Sequence, residues 1–442
     1  MIATGAISVR RSLNGSNDFD TFYNAGRAVL TGQGIYYTGD YYQAEERRAP
    51  FLYPPFAACL FSLFAFLPMG AASFLWNAFN IACLYGCFAL MASILGIQAA
   101  DLKHRWQALP KMDKALLAGM AGALSLDNLM MAQANIFIFF LTLLALMCWR
   151  KKRPFLSGFI FAFSIMIKLT PVLFLIFFAA KRSWRVLLGM GAGIVFLTGI
   201  LPALFWGLEN NRIYHRQWLG RTLKPIAAPI LSIFKPGPEP AHPLQKSSSD
   251  LEHELLTSRL NEKNQALSAT LTRLFLKNRR EYGYGPAPIY VSRRYEALPV
   301  LFPIPQRVLF FGNHLLRLFF LAGLAALFSR KKDAPGAILP LELSLVYLSM
   351  PLLSPLARSH QFMVWLFAYM TLYLGNLPGA MPGWAILTAR LAALFYFLQG
   401  LPYGKAAGMG TFADLTLCLG VIYALLAPKR VLAKGENIGS RS

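Results

Sequence analysis

The sequence predicts an all-α polytopic membrane protein, and three observations carry that prediction. Hydrophobic residues fill 56% of the 442 positions and charged residues only 14%, against about 25% charged in an ordinary soluble domain. The apolar residues are gathered into discrete runs, and residues 71–97 contain no charge at all. A run of about 20 residues matches the hydrocarbon thickness, where a helix satisfies its own backbone hydrogen bonds. Third, 43 Lys and Arg against 20 Asp and Glu leave a net charge of +23. In a soluble chain that balance points to nucleic acid. Here the basic stretches abut apolar runs: RKKR at 150–153, KRSWR at 181–185, RKK at 330–332 and PKRVLAK at 428–434. Such flanks meet anionic headgroups on the cytoplasmic side. Membrane lipids are therefore the expected partners, and nucleic acid is not.

The apolar runs fall near 53–69, 71–97, 115–128, 134–149, 155–180, 184–206, 306–329, 336–355, 360–377, 383–402 and 409–427. They predict a bundle of roughly 10–11 membrane segments. No internal repeat is evident, so the inverted-repeat signature of many transporters is missing. The chain divides into an external N-terminal segment (1–52), an N-terminal transmembrane module (53–206), an external loop (207–305), a C-terminal transmembrane module (306–427) and a cytoplasmic tail (428–442). The first apolar run begins near Phe51, so the spans themselves are expected to direct insertion.

Simple alternation of spans puts RKKR on the wrong side if residues 1–51 are external. A half-span at 115–128, with 155–180 folding back at Lys168–Pro171, resolves this; a Lys-Leu-Thr-Pro interruption suits a hairpin tip. The start of the 207–305 loop reads as turn-rich, with prolines at 225, 229, 236, 238, 240 and 243. Residues 250–277 then read as an amphipathic helix opened by Asp250, with Leu256, Leu260, Leu267, Leu271 and Leu274 on one face. It lies on the membrane surface or packs on the protein's outer face.

Five cysteines (59, 83, 87, 148 and 418) lie in or at the end of apolar runs. They read as isolated core thiols, with no metal-ligand cluster.

The residues able to carry chemistry begin with Asp18-Phe-Asp-Thr-Phe-Tyr-Asn-Ala-Gly-Arg27, followed by Gly32, Tyr36-Tyr37 and Tyr53-Pro-Pro-Phe56. A carboxylate just outside a membrane is well placed to take a proton from a hydroxyl. From local sequence Asp18 also reads as the cap of a helix running to Leu30. Asp20, two residues on, points elsewhere if that helix forms. Lys168 lies inside an apolar run, where a cation is costly unless used or paired; snorkelling from a helix end is its other reading. Gln133 and Asn135 either meet a polar ligand or simply join helices.

At this point the sequence resembles glycosyltransferase family 87, polyprenyl-phosphate-dependent transferases of the GT-C superfamily. The Asp-Phe segment and Tyr-Pro-Pro-Phe carry the resemblance first. Gln133-Ala-Asn135 is similar to the family's Gln-x-Asn. Gly158, Lys168-Leu-Thr-Pro171 and Lys181-Arg-Ser-Trp184-Arg185 follow its Gly…Lys-x-x-Pro…Arg-x-Trp-Arg block. Asn264-Gln-Ala-Leu267…Arg273 resembles its loop element, and Leu353-Ser-Pro355…His360 its late Ser-Pro…His. The matches span about residues 18–365 in the family's order. Two departures stand out. Residues 1–17 are polar where relatives usually have a spanning helix, and Arg358 lies near a position that is usually aromatic.

The resemblance implies a GT-C-type helical bundle in a bacterial plasma (inner) membrane, with its active site on the external side. It implies inverting transfer of a sugar, most often mannose, from a polyprenyl phosphate to a glycolipid or lipid-linked glycan. Asp18 is then the base and Asp20 the second choice. Lys168, His360, Arg358 and Arg273 face the donor phosphate, since cations stabilise the departing negative charge. Gln133, Asn135, Tyr23 and Arg27 meet sugar or acceptor. No metal or other cofactor is expected, because two carboxylates make a poor divalent site unaided. The competing class is a lipid-linked saccharide transporter or flippase. Against it, the polar motifs concentrate in external segments and one Lys-x-x-Pro break.

Overall fold

The computed structural model describes residues 2–14, 18–36, 51–234, 261, 263–277, 298–329, 339–354, 356–375, 383–401 and 403–426. The RKK stretch at 330–332, the tail 428–442, and Asp250, Leu256 and Leu260 lie outside them. In chain order the helices are α1 (Ile2–Leu13), α2 (Phe19–Leu30), α3 (Pro55–Ala65), α4 (Met69–Ile94), α5 (Ala99–Ala108), α6 (Lys111–Met130), α7 (Asn135–Arg150), α8 (Pro154–Ile167), α9 (Phe174–Ala180), α10 (Trp184–Val195), α11 (Leu201–Phe234), α12 (Leu267–Phe275), α13 (Gln306–Ser329), α14 (Leu339–Leu353), α15 (Trp365–Leu374), α16 (Gly383–Leu398), α17 (Gly404–Ala407) and α18 (Met409–Leu426). Among the described residues there is no strand, only an isolated bridge between Leu276 and Ile304.

The chain is an all-α polytopic membrane protein. Each apolar run of the sequence carries a helix. Among the described residues, four stretches are long and apolar enough to cross a membrane: Met69–Ile94, Trp184–Gly220, Val308–Ser329 and Met409–Leu426. A fifth arises if α6 and α7, bent by 119° at their junction, count as one. Pro55–Ala65, Pro154–Ile167, Thr170–Ala180, Leu339–Leu353 and Gly383–Leu398 are apolar but shorter.

Local chemistry sets the helix ends. Pro55 and Pro154 open α3 and α8, the one helical position where a missing N–H costs nothing. Two basic stretches act as stops. After α7, Lys152 takes φ +58° and Arg153 N donates to Cys148 O at 2.9 Å. After α9, Arg182 takes φ +53° and Ser183 N donates to Phe178 O at 2.9 Å. This is the same left-handed closing turn twice, with cations where the helix dipole favours them.

Two compact units divide the chain: Met1–Ile94 with Gly122–Leu223, and Leu95–Ala121 with Lys224–Ser442. In the first unit, α8 and α10 touch through bare backbone. A Cβ on Gly158 would lie 2.0 Å from Val186 O, one on Gly189 2.2 Å from Phe155 O, and one on Gly193 2.5 Å from Ala162 Cβ. Gly189 and Gly193 are four apart, the spacing by which membrane helices approach closely. Gly26 of α2 meets the Phe61 carbonyl of α3 in the same way, at 2.6 Å from a built Cβ. The run 155–180 does reverse: the Phe161 ring lies 4.5 Å from that of Phe174 and 5.3 Å from that of Phe178. Thirteen residues of straight helix span about 20 Å, so those contacts require the fold-back.

Three sequence readings are corrected. Residues 2–13, read as part of a polar lead-in, form α1. Its buried Ser8 and Ser12 bond to α4: Ser12 Oγ lies 2.7 Å from Ser73 Oγ, and Asn77 Nδ2 donates to Ser8 Oγ at 2.9 Å. Hydroxyls packed between helices read as polar surface in a linear scan. The segment after 206 is not turn-rich at its start. Gly207, at φ +79°, interrupts the helix, which then continues to Phe234. Finally, the described part of 250–277 is helical only over Leu267–Phe275. Just before that helix, Asn264 Oδ1 accepts from Ala266 N at 3.1 Å, a local bond that competes with the helical ladder.

In the second unit, α16 and α18 pack closely, Thr388 Oγ1 standing where a Gly420 Cβ would fall. Arg390 of α16 grips Asp113 of α6 with two bonds of 2.8 Å, and Arg105 Nη1 reaches Leu374 O at 2.9 Å.

Candidate functional site

The first unit holds Asp18, and its surroundings decide which reading of that residue the geometry favours. Asp18 stands at the N-cap position of α2, yet its side chain makes no capping bond. The carboxylate instead accepts a hydrogen bond from Gln133 Nε2, and its own N–H donates to Met131 O at 3.2 Å. Side chain and backbone are thus both tied to the turn between α6 and α7. That turn is held in place from within. Ala132 takes φ +47°, Trp76 Nε1 donates to its carbonyl at 2.9 Å, and Gln133 N donates to Asn128 O at 3.1 Å. Phe19, next to Asp18, is fully buried with rings of Phe61, Tyr23 and Trp76 around it.

The same turn reaches Lys168. Lys168 closes α8 in extended backbone, and its Nζ donates to Asn135 Oδ1 at 2.9 Å. Asn135 Nδ2 passes the orientation on to Asn128 Oδ1 at 3.1 Å, and Asn128 Nδ2 ends on Leu124 O at 2.9 Å. Gln133 and Asn135 therefore hold an acid and a base from two separate motifs, one amide each. Asp18 and Lys168 are half-buried, whereas Gln133 and Asn135 are buried. Gln133 Oε1 has no hydrogen-bond partner among the described residues. An ionised carboxylate takes only donors, so it fixes which end of the amide faces it.

The remaining first-unit candidates are engaged differently. Asp20 is buried and takes the Thr21 N–H at 2.7 Å. Tyr23 donates its hydroxyl to Leu67 O at 2.8 Å. Arg27 is exposed on the last turn of α2.

In the second unit, Arg273 is wholly buried, and its five N–H groups all find protein acceptors. Nε donates to Ala406 O at 2.9 Å, Nη1 to Asn261 O at 3.0 Å and Asn264 O at 2.7 Å, and Nη2 to Thr270 Oγ1 at 3.2 Å and Lys405 O at 3.5 Å. Its neighbours in the same motif do similar work. Asn264 Oδ1 accepts from Ala357 N at 3.0 Å, and Gln265 bridges Lys405 O and Gly410 N. This knot fixes the Ser354–His360 segment to α12 and α18. Such a guanidinium braces backbone and has no N–H left for a phosphate. His360 is buried in the short helix Ser359–Val364, and Arg358 is half-buried at its start.

Sequence reading missed Asn128 and Arg317. Asn128 looks like any polar residue at a helix end. Arg317 hides in the apolar run 306–329, where its signal was an arginine set between leucines in the middle of the run. Among the described residues, no group of three or more His, Cys, Asp or Glu side chains is arranged to hold a metal ion. All five cysteines are free thiols.

The turn that carries Gln133 and Asn135, with the Lys168 reversal, lies within the part of the chain that a family match covers. Residues 51–235 match Glycosyltransferase family 87. The match takes in Tyr53-Pro-Pro-Phe56, Gln133, Asn135 and Lys168 and begins after Asp18. A curated relative from Mycolicibacterium smegmatis, a polyprenol-phosphate-mannose-dependent alpha-(1-2)-phosphatidylinositol pentamannoside mannosyltransferase, is 30% identical over 213 residues, 47% of this chain and 48% of the relative. A polyprenol-phosphate-mannose-dependent alpha-(1-2)-phosphatidylinositol mannoside mannosyltransferase from Mycobacterium tuberculosis is 28% identical over 215 residues, 46% of this chain and 49% of the relative. The alignments thus span about half the length of these relatives. No solved structure matches.

Proposed function

We propose that this protein is a membrane glycosyltransferase that moves a mannosyl group from a polyprenyl phosphate to a hydroxyl of a glycolipid, with inversion. The observation that carries the reading is the Asp18 carboxylate, which caps no helix and is instead held by the Gln133 amide. A general base needs a free lone pair and a fixed direction, and a single amide donor supplies the direction while leaving acceptor capacity unused.

In this reading Asp18 takes the proton of the acceptor hydroxyl. The hydroxyl oxygen bonds to the anomeric carbon as the bond from that carbon to the phosphate oxygen breaks, and the lipid phosphate leaves with the electron pair. Lys168 stabilises the charge that develops on the departing phosphate; its ammonium is already oriented by Asn135. His360 and Arg358 keep the phosphate-facing role that the resemblance gives them. Arg273 is left out of that role, because its N–H groups are spent on protein acceptors. The transfer runs without a metal ion, on side-chain cations alone. The setting is the external leaflet of a bacterial inner membrane. The names of the relatives support mannose as the sugar, polyprenyl phosphate as the carrier and a phosphatidylinositol mannoside as the kind of acceptor.

The test is turnover by the purified full chain, given polyprenyl-phosphate mannose and a phosphatidylinositol mannoside. Wild-type protein transfers mannose and Asp18→Asn does not. Retained turnover in the variant removes Asp18 as the base. No turnover by wild type with any polyprenyl-phosphate sugar favours a saccharide transporter.

A further inference from the structure

We infer that the second unit carries a binding site for a membrane-lipid phosphate on α13, built from Arg317 and Asn313. The inference stands on that helix and not on the transfer reaction proposed above.

Val308–Ser329 is long and apolar enough to cross a membrane, and most of its surface is aliphatic or aromatic: Val308, Phe311, Leu315, Leu316, Leu318 and Phe319 are exposed. One stripe departs from this pattern. Asn313 and Arg317 are four residues apart, so they share a face, and His314 adjoins them.

A cation in such a helix is retained where it has work to do. Arg317 is held by one end only. Its Nη2 donates to Ser268 Oγ at 2.9 Å and to Ser354 O at 3.5 Å. Its Nε and Nη1 bond no described residue, so half or more of a planar donor fork remains open. No carboxylate pairs with it among the described residues. One turn earlier, Asn313 is 5% exposed and its Nδ2 has no partner among the described residues. A buried donor left unsatisfied is unfavourable unless a ligand completes it.

The arrangement therefore has donors in excess, one full positive charge, and apolar walls on either side. The chemistry that completes it is an anion with several acceptor oxygens attached to a lipid tail. Guanidinium groups grip phosphate through two parallel bonds, and an amide N–H adds a third. Arg273, by contrast, has no donor to spare. Two lipids bring this chemistry, a polyprenyl phosphate and a glycerophospholipid such as phosphatidylinositol.

The experiment measures binding of each lipid to the purified full chain in detergent, in the absence of any sugar acceptor. Arg317→Met is expected to weaken one of them by at least about tenfold, the loss of a charge-assisted bond. Loss confined to polyprenyl phosphate identifies the donor lipid as the occupant; loss confined to phosphatidylinositol identifies a phospholipid. Both results support the site. Unchanged binding of both lipids overturns it.

Where Arg317→Met does not fold, Asn313→Leu decides. It breaks no existing side-chain hydrogen bond, and it is expected to weaken the same lipid by about fivefold. No change there overturns the proposal. Binding is read without turnover, so failure of the Asp18→Asn test leaves this result standing.

Discussion

Gln133 donates its side-chain amide to Asp18 across 115 positions of sequence, and that bond replaces the cap expected of an aspartate at the start of a helix. Asp20 lies on the same helix, and its Oδ1 is occupied by the neighbouring Thr21 N–H. The two acids should therefore respond differently to amide substitution. Asp18→Asn is expected to lower kcat by about 10²- to 10⁴-fold, the usual contribution of a general base. Asp20→Asn should stay within about tenfold of wild type. Initial rates of mannosyl transfer by the two purified variants compare them directly, and equal losses would assign the base role to neither.

Gln133→Leu removes the donor that aims the carboxylate while leaving the acid itself in place. A reacting group displaced by about 1 Å loses on the order of 100-fold, so a fall of about 10- to 100-fold in kcat is expected. The KM for the lipid donor should hold, because Lys168 is oriented through Asn135 and not through Gln133. A raised KM with unchanged kcat contradicts this division of labour.

Arg273 makes the opposite prediction. A lysine there offers three donors where five are in use, and it strands buried carbonyls of Asn261, Asn264 and Ala406. Arg273→Lys should cost about 3 kcal/mol or more of stability, seen as a lower midpoint of thermal unfolding in detergent. An unchanged midpoint combined with weakened lipid-phosphate binding would return Arg273 to the ligand site.

Gly26→Ala tests how α2 is seated. The added methyl would lie 2.6 Å from the Phe61 carbonyl carbon and oxygen. The helix must move, at a cost of about 1–3 kcal/mol, and Asp18 at its start moves with it. Both the unfolding midpoint and kcat should drop. Full activity at a lowered midpoint would separate the seating of α2 from the aim of its first carboxylate.

The sequence makes most of the helices legible because they fall within apolar runs, and hydrocarbon thickness leaves such runs few alternatives. The reversal at Lys168 is legible too, because a lysine and a proline interrupt such a run. α1 is not, since Ser8 and Ser12 spend their hydroxyls on Ser73 and Asn77, some 60 to 70 residues away. The site was half legible. Gln133, Asn135 and Lys168 stand out from motif spacing, but nothing local tells which amide serves which charge. Arg273 misled for the same reason. Its partners at 405 and 406 lie more than 130 positions downstream, and a loop arginine carries no mark of being walled in. Arg317 was masked by its hydrophobic neighbours.

The backbone contact between α8 and α10 has a consequence for Lys168. Where two helices meet through glycines, neither can rotate or slide without a steric collision, so the pair behaves as one stiff plank. Lys168 hangs from the end of that plank, ten residues beyond Gly158. In the proposed reaction its aim thus depends on three small residues outside the site, and a side chain added at any of them would disturb the packing and Lys168 together.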